Sequence, residues 1–176
     1  SKDKTAKKVR ELIKRNRLLK IRLARGKHKG KSEALNKGVK ESRHGLVLCL
    51  DADVILKKNT IKEMIMPFSD DSVGATNAMA FIRKPRNLLE HFQKMEFFLF
   101  SIIRSSFSRL FNNSIWFFGV AACYRKDVLK KIGYFKKDSL TEDMDICLEI
   151  FKADYRIITV QDTCIMTNAC RTIKGL

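Results

Sequence analysis

The amino-acid sequence predicts an α/β fold, a mainly parallel central sheet flanked by helices, in a single domain. Three observations predict it. Apolar runs of strand length alternate along the chain with stretches of helical periodicity. The 176 residues, 45% of them hydrophobic, suffice for one substantial core. Only two prolines and eight glycines argue against a disordered or fibrous chain, and no repeat or low-complexity linker divides it.

The elements follow in order. Residues 5–15 read as a helix with Val9, Leu12 and Ile13 on one face, and residues 18–23 as a strand. A loop of glycine and cations at 26–30 leads to a second helix at 31–43, with Ala34, Leu35 and Val39 facing inward. Residues 46–50 are an uninterrupted apolar run ending at an acid, as buried central strands often do. Asn59 can cap a short helix that ends near Met66, just before Pro67. Residues 73–82 mix small and β-branched side chains, which suits a strand, and 87–111 form a long helix rich in phenylalanine. An extended segment at 117–124 follows, then a short helix at 127–132 that Gly133 can stop. Thr141 is a suitable cap for a helix at 142–152, and 155–160 form a last strand.

The formal net charge is +17, and it is regional: residues 1–44 carry 17 Lys and Arg against 4 Asp and Glu. Such a segment attracts phosphates, nucleic acid or an anionic membrane face, or is simply a solvated basic surface. Nucleic acid is the weaker fit, because residues 1–44 contain no aromatic side chain on which a base could stack. Five cysteines, an odd number without a C-x-x-C pair, suggest neither a zinc site nor a disulfide framework, but free thiols in a reducing compartment. The most apolar stretch, 97–103, is far shorter than the roughly 20 residues of a membrane span.

Ligands of open α/β sheets bind beyond the carboxyl ends of the strands, which directs attention to Asp51-Ala52-Asp53 after the apolar run. In extended backbone, residues two apart point the same way, so the two carboxylates would repel each other. A divalent cation relieves that conflict, and hard oxygen ligands suit Mg2+ or Mn2+. The same D-x-D also occurs in surface turns. The K-H-K-G-K run at 27–31 brings cations to a helix start, which suits phosphate, though it lacks the spacing of a Walker A loop and equally describes a flexible basic loop. Thr141-Glu142-Asp143-Met144-Asp145 puts three acids at a helix start. They stabilise the helix dipole, and one beside a cleft can also serve as a general base. The three histidines show no ligand spacing, and there is no G-x-S-x-G. The phenylalanines of the long helix read as core, with a neighbour or a membrane surface as the other possible packing partners.

Taken in order, four segments resemble family-two glycosyltransferases of the GT-A fold. Gly30 to Gly38 resembles their G-K-x-x-A-L-N-x-G, Leu50 to Asp53 their D-x-D, and Thr141 to Asp145 their T-E-D-x-D. Phe117 to Ala121, with Tyr124-Arg125, resembles their acceptor-side segment. The similarity is strongest to the processive cellulose, chitin, hyaluronan and poly-N-acetylglucosamine synthases, whose long helix before the acceptor-side segment has a counterpart here. The family begins with two strands, the second ending in D-D-G-S, and the chain opens on residues resembling the tail of that motif. Residues 167–176 resemble the stretch before its Q-x-x-R-W, and Cys170 stands where proline is frequent.

The resemblance therefore implies a partial catalytic domain over 1–176, of GT-A type without its first two strands, inactive in isolation. It implies an inverting transfer of a hexosyl unit from a nucleotide sugar, UDP-linked, to a growing polysaccharide. Asp143 would be the general base, Lys31, Asp51 and Asp53 would bind the nucleotide sugar, and Asp53 with Asp51 would hold Mg2+ or Mn2+. Gly119 and Glu142 would line the acceptor side. The expected setting is the cytoplasmic face of the cell membrane, reached through segments outside this chain. A non-processive transferase acting on a lipid or protein, a nucleic-acid-binding module and a non-catalytic domain are the competing readings.

Overall fold

A computed structural model describes residues 4–26, 29–114, 117, 119–137, 139 and 141–173. Helices α1 (Thr5–Arg15) and α2 (Lys31–Glu41) precede strands β1 (Leu46–Leu50) and β2 (Ile55–Leu56). Helix α3 (Thr60–Ile65) continues into a 3-10 turn at Met66–Ser69 and leads to β3 (Val73–Ile82). The 24-residue α4 (Leu88–Phe111), β4 (Ala121–Arg125), α5 (Lys126–Lys131), α6 (Glu142–Lys152) and β5 (Arg156–Thr167) complete the order.

The five strands form one sheet in the order β1-β4-β3-β5-β2. Only β3 and β5 pair in parallel; β1–β4, β4–β3 and β5–β2 are antiparallel. The expectation of a mainly parallel sheet is corrected accordingly. The reversal arises between α4 and β4. Asn113 and Ser114, just past α4, are hydrogen-bonded to Ile157 near the start of β5. The chain must then cross back before Ala121 pairs with Leu50, so β4 begins beside the carboxyl end of β1 and runs against it. Strands β1, β3 and β5 still share one direction, so their carboxyl ends form one rim, and the start of β4 joins it.

Alternation in β4 divides the core. Ala122 and Tyr124 face a cluster with Val39, Leu129, Ile146 and Ile150, while Ala121 and Cys123 face Met64, Phe68 and Ile165. Gly74 in β3 has no room for a side chain: a Cβ there would lie 2.8 Å from the Tyr155 Cβ.

Other expectations meet the structure unevenly. Residues 18–23 form no strand, since no described strand pairs with them. Val9, Leu12 and Ile13 share α1, yet none of that helix is buried. In α2, Val39 is buried and Leu35 half-buried, but Ala34 is exposed, and the buried side chains nearest the start of the helix are Ser32 and Asn36. Among the described residues β1 is an edge strand rather than a central one, and Leu50 is 42% exposed. Asn87 caps α4 by accepting from the Glu90 N–H, whereas neither Asn59 nor Thr141 makes a side-chain cap bond. The last strand runs on to Thr167 after a register shift opposite Ala78 and Met79. Cys49, Cys123, Cys147 and Cys164 are free thiols; burial pushes those of Cys123 and Cys147 up to about 12 and that of Cys49 to about 11.

Candidate active site

The residues singled out by sequence converge on the rim at the carboxyl ends of β1 and β5. Lys31 is the first residue of α2, after Gly30, whose φ of +94° turns the chain into the helix. Its Nζ lies 3.2 Å from Asp51 Oδ1 and 3.0 Å from Glu142 Oε1. One ammonium thus ties the end of β1 to the start of α6. Partial burial works against its charge, but hydrogen bonds and attraction from Glu142 and Asp51 outweigh this and raise the Lys31 pKa.

Asp51 and Asp53 do not lie in extended backbone, since β1 ends at Leu50. The chain turns at Ala52 and Asp53, and the two carboxylates take different partners. The Asp51 N–H donates to the Val120 carbonyl at 3.0 Å, which fixes the end of β1 beside the segment leading into β4. Asp53 Oδ2 accepts from Thr167 Oγ1 at 3.0 Å and from the backbone and side-chain nitrogens of Asn168 at 3.3 and 3.4 Å. Desolvation opposes the Asp53 charge, yet these donors hold its pKa below the ordinary carboxylate value. Thr167 and Asn168 were not recognised as site residues from the sequence, because their link to Asp53 depends on where β5 ends.

Asp143, in the first turn of α6, accepts from the Gly119 N–H through Oδ2 at 2.9 Å and from the Met144 N–H through Oδ1 at 3.0 Å. A Cβ on Gly119 would come within 3.0 Å of the Asp143 Cβ and 3.4 Å of its Oδ2. Gly119 therefore touches Asp143 directly, and its bare backbone lets the carboxylate approach. Phe118, within the acceptor-side motif, lies outside the described residues, as do His28 and Lys27 of the basic loop. Asn36 has a structural duty: its amide donates to the Phe135 carbonyl at 2.8 Å and accepts from the Phe135 N–H at 2.9 Å, clasping the chain ahead of α6 to α2. Beside Lys31, a groove of about 450 Å³ lined by Leu35, Val39, Val47, Cys49 and Asp51 runs along β1.

No cluster of three His, Cys, Asp or Glu side chains able to cage a metal occurs among the described residues. Asp51 and Asp53 instead fit an ion that takes one or two carboxylates and fills its shell with phosphate oxygens and water, as Mg2+ does. In this structure the charge of Asp51 is met by the Lys31 ammonium.

Solved structures define the class. The mannosyltransferase PcManGT from Pyrobaculum calidifontis, solved with GDP-Man and Mn2+, superposes with a TM-score of 0.78 at 22% identity over 98% of this chain and 46% of its own. Staphylococcus aureus TarS residues 1–349, solved with UDP-GlcNAc, gives 0.65 at 16% identity, covering 98% and 48%. The fold is that of the GT-A glycosyltransferases. The model described as "Glycosyltransferase like family 2" matches residues 1–176, and the chain belongs to that family. The poly-beta-1,6-N-acetyl-D-glucosamine synthase of S. aureus strain COL is 30% identical over 160 residues, 89% of this chain. The chain spans 38% of that relative's length.

Proposed function

We propose that the chain carries the catalytic core of an inverting hexosyltransferase that extends a polysaccharide from a UDP-linked sugar. The observation that carries this reading is the Asp143 carboxylate, held by the Gly119 N–H on the rim that also bears Lys31, Asp51 and Glu142. An acceptor hydroxyl gives its proton to Asp143 as its oxygen attacks the anomeric carbon. The bond from that carbon to the diphosphate oxygen breaks, the electron pair leaves with the diphosphate, and one displacement inverts the centre. Lys31 offers a positive charge to the diphosphate, and Gly119 and Glu142 border the acceptor. Asp51 and Asp53 would hold Mg2+ or Mn2+, which supplies charge stabilisation for the leaving diphosphate. The reading is supported by the 30%-identical relative, named as a polysaccharide synthase, and by neighbours solved with GDP-Man and Mn2+ or with UDP-GlcNAc. The working location is the cytoplasmic face of the cell membrane.

Titration of UDP in the presence and absence of Mn2+, followed by calorimetry, tests the donor side. Asp53→Ala, with folding checked by circular dichroism, is expected to weaken Mn2+-dependent binding at least about tenfold. Unchanged metal-dependent binding would overturn the metal assignment.

A further inference from the structure

Helix α4 is inside out. Its buried side chains are Glu90, Gln93, Ser101, Arg104 and Ser108, all polar. Its opposite face carries Phe92, Met95, Phe98, Leu99, Ile102 and Ile103, which are 44–57% exposed. Most soluble helices bury the apolar face and expose the polar one.

The polar face is fastened to the body of the protein. Ser101 Oγ donates to the Ala80 carbonyl at 3.1 Å, and Ser108 Oγ accepts from the Thr159 N–H at 3.1 Å. Gln93 exchanges two hydrogen bonds with the Cys170 backbone, at 2.8 and 2.9 Å. The helix therefore cannot roll to bury its apolar face without breaking buried hydrogen bonds. This corrects the expectation that its phenylalanines form core: Phe97 packs inward, while Phe92 and Phe98 do not.

We propose that this face of α4 is a membrane-docking surface that lies in the plane of an anionic bilayer. Three features select lipid over a partner helix. At about 100° per residue the exposed apolar positions span roughly 140°, wider than the narrow seam of a coiled coil. The face extends along much of a helix about 36 Å long, and no helix among the described residues is apolar enough to cross a membrane. The surrounding charge is cationic: Arg83, Lys84, Arg86, Lys94 and Arg109 are exposed from just before α4 to its last turn, against a single exposed acid, Glu96. A large apolar face with a basic border on a chain of net charge +17 has the chemistry of an interfacial helix on acidic headgroups. Membrane docking by α4 is independent of the reaction at the rim.

The test is co-sedimentation of the protein with vesicles of phosphatidylcholine, with and without 30 mol% phosphatidylglycerol (about the level at which surface charge dominates). The wild type is expected to bind the anionic vesicles. Phe92→Gln/Leu99→Gln/Ile103→Gln removes apolar surface at exposed helical positions and is expected to lower partition at least tenfold with an unchanged circular dichroism spectrum. Lys94→Gln/Arg109→Gln is expected to weaken binding several-fold to anionic vesicles only, with the difference closing as salt rises. A wild type that stays in the supernatant would overturn the proposal. Equal binding by the triple variant would also overturn it, assigning lipid contact to another surface such as basic α1. Self-association in sedimentation velocity that the triple variant abolishes, without lipid binding, would identify a protein interface instead.

Discussion

Replacing Gly119 with alanine probes how the proposed base is held. The added Cβ would sit 3.0 Å from the Asp143 Cβ, tighter than an ordinary contact, and 3.4 Å from Oδ2. The Gly119 φ is not in the left-handed region, so the backbone itself accepts alanine, and the strain falls on the Gly119–Asp143 contact. Relief requires a displacement of a few tenths of an ångström, which lengthens the 2.9 Å hydrogen bond from the Gly119 N–H. Since a misplacement of about 1 Å can cost roughly 100-fold in rate, a shift of this size is expected to lower kcat about 3- to 30-fold. The assay is UDP release from a nucleotide sugar by the complete gene product, with kcat and KM measured separately. Gly119→Ala in the Asp143→Asn background is expected to add little, because both changes act on one group. Wild-type kcat for Gly119→Ala, or full additivity in the double variant, would refute the positioning argument.

Two further outcomes follow from the same geometry. Asn36→Ala leaves two buried backbone groups of Phe135 without their amide partner, and at about 1–3 kcal/mol for each it is expected to cost about 2–6 kcal/mol in urea unfolding. Thr167→Val removes a donor to Asp53, whose pKa lies below its unfolded value. That contribution is complete above the unfolded carboxylate pKa of about 3.9 and fades as pH falls through the folded one, so the variant should be less stable than wild type at pH 7 and the difference should shrink below pH 4. An undiminished difference at pH 2.5 would assign it to packing rather than charge.

Local signals made much of this molecule legible. The bounds of α1, β1 and β3 follow from periodicity and apolar runs, and α4 starts within one residue of its expected place, since these depend on residues close in sequence. The sense of β4 was not legible, because the crossing between Ser114 and Ala121 depends on contacts with β5 more than 40 residues away. Residues 18–23 have strand-like composition but no partner strand, and pairing is not a local property. At the site, Lys31, Asp51 and Glu142 were each identifiable, yet their shared ion pair was not, since it joins three elements across 111 residues. The i, i+2 spacing of Asp51 and Asp53 does not by itself set their directions, because the strand ends at Leu50 and the chain turns. For α4 the apolar period was visible, but not which face the sheet would take: satisfying Gln93, Ser101 and Ser108 settled it.

The central claim is that Asp143 accepts the proton of the attacking hydroxyl, and Asp143→Asn tests it most directly. The amide is nearly the same size but cannot serve as the base. With the complete gene product in lipid, sugar transfer is expected to fall by about 100- to 10,000-fold while UDP binding in Mn2+ stays within about twofold of wild type. Transfer at the wild-type rate by Asp143→Asn would contradict the account.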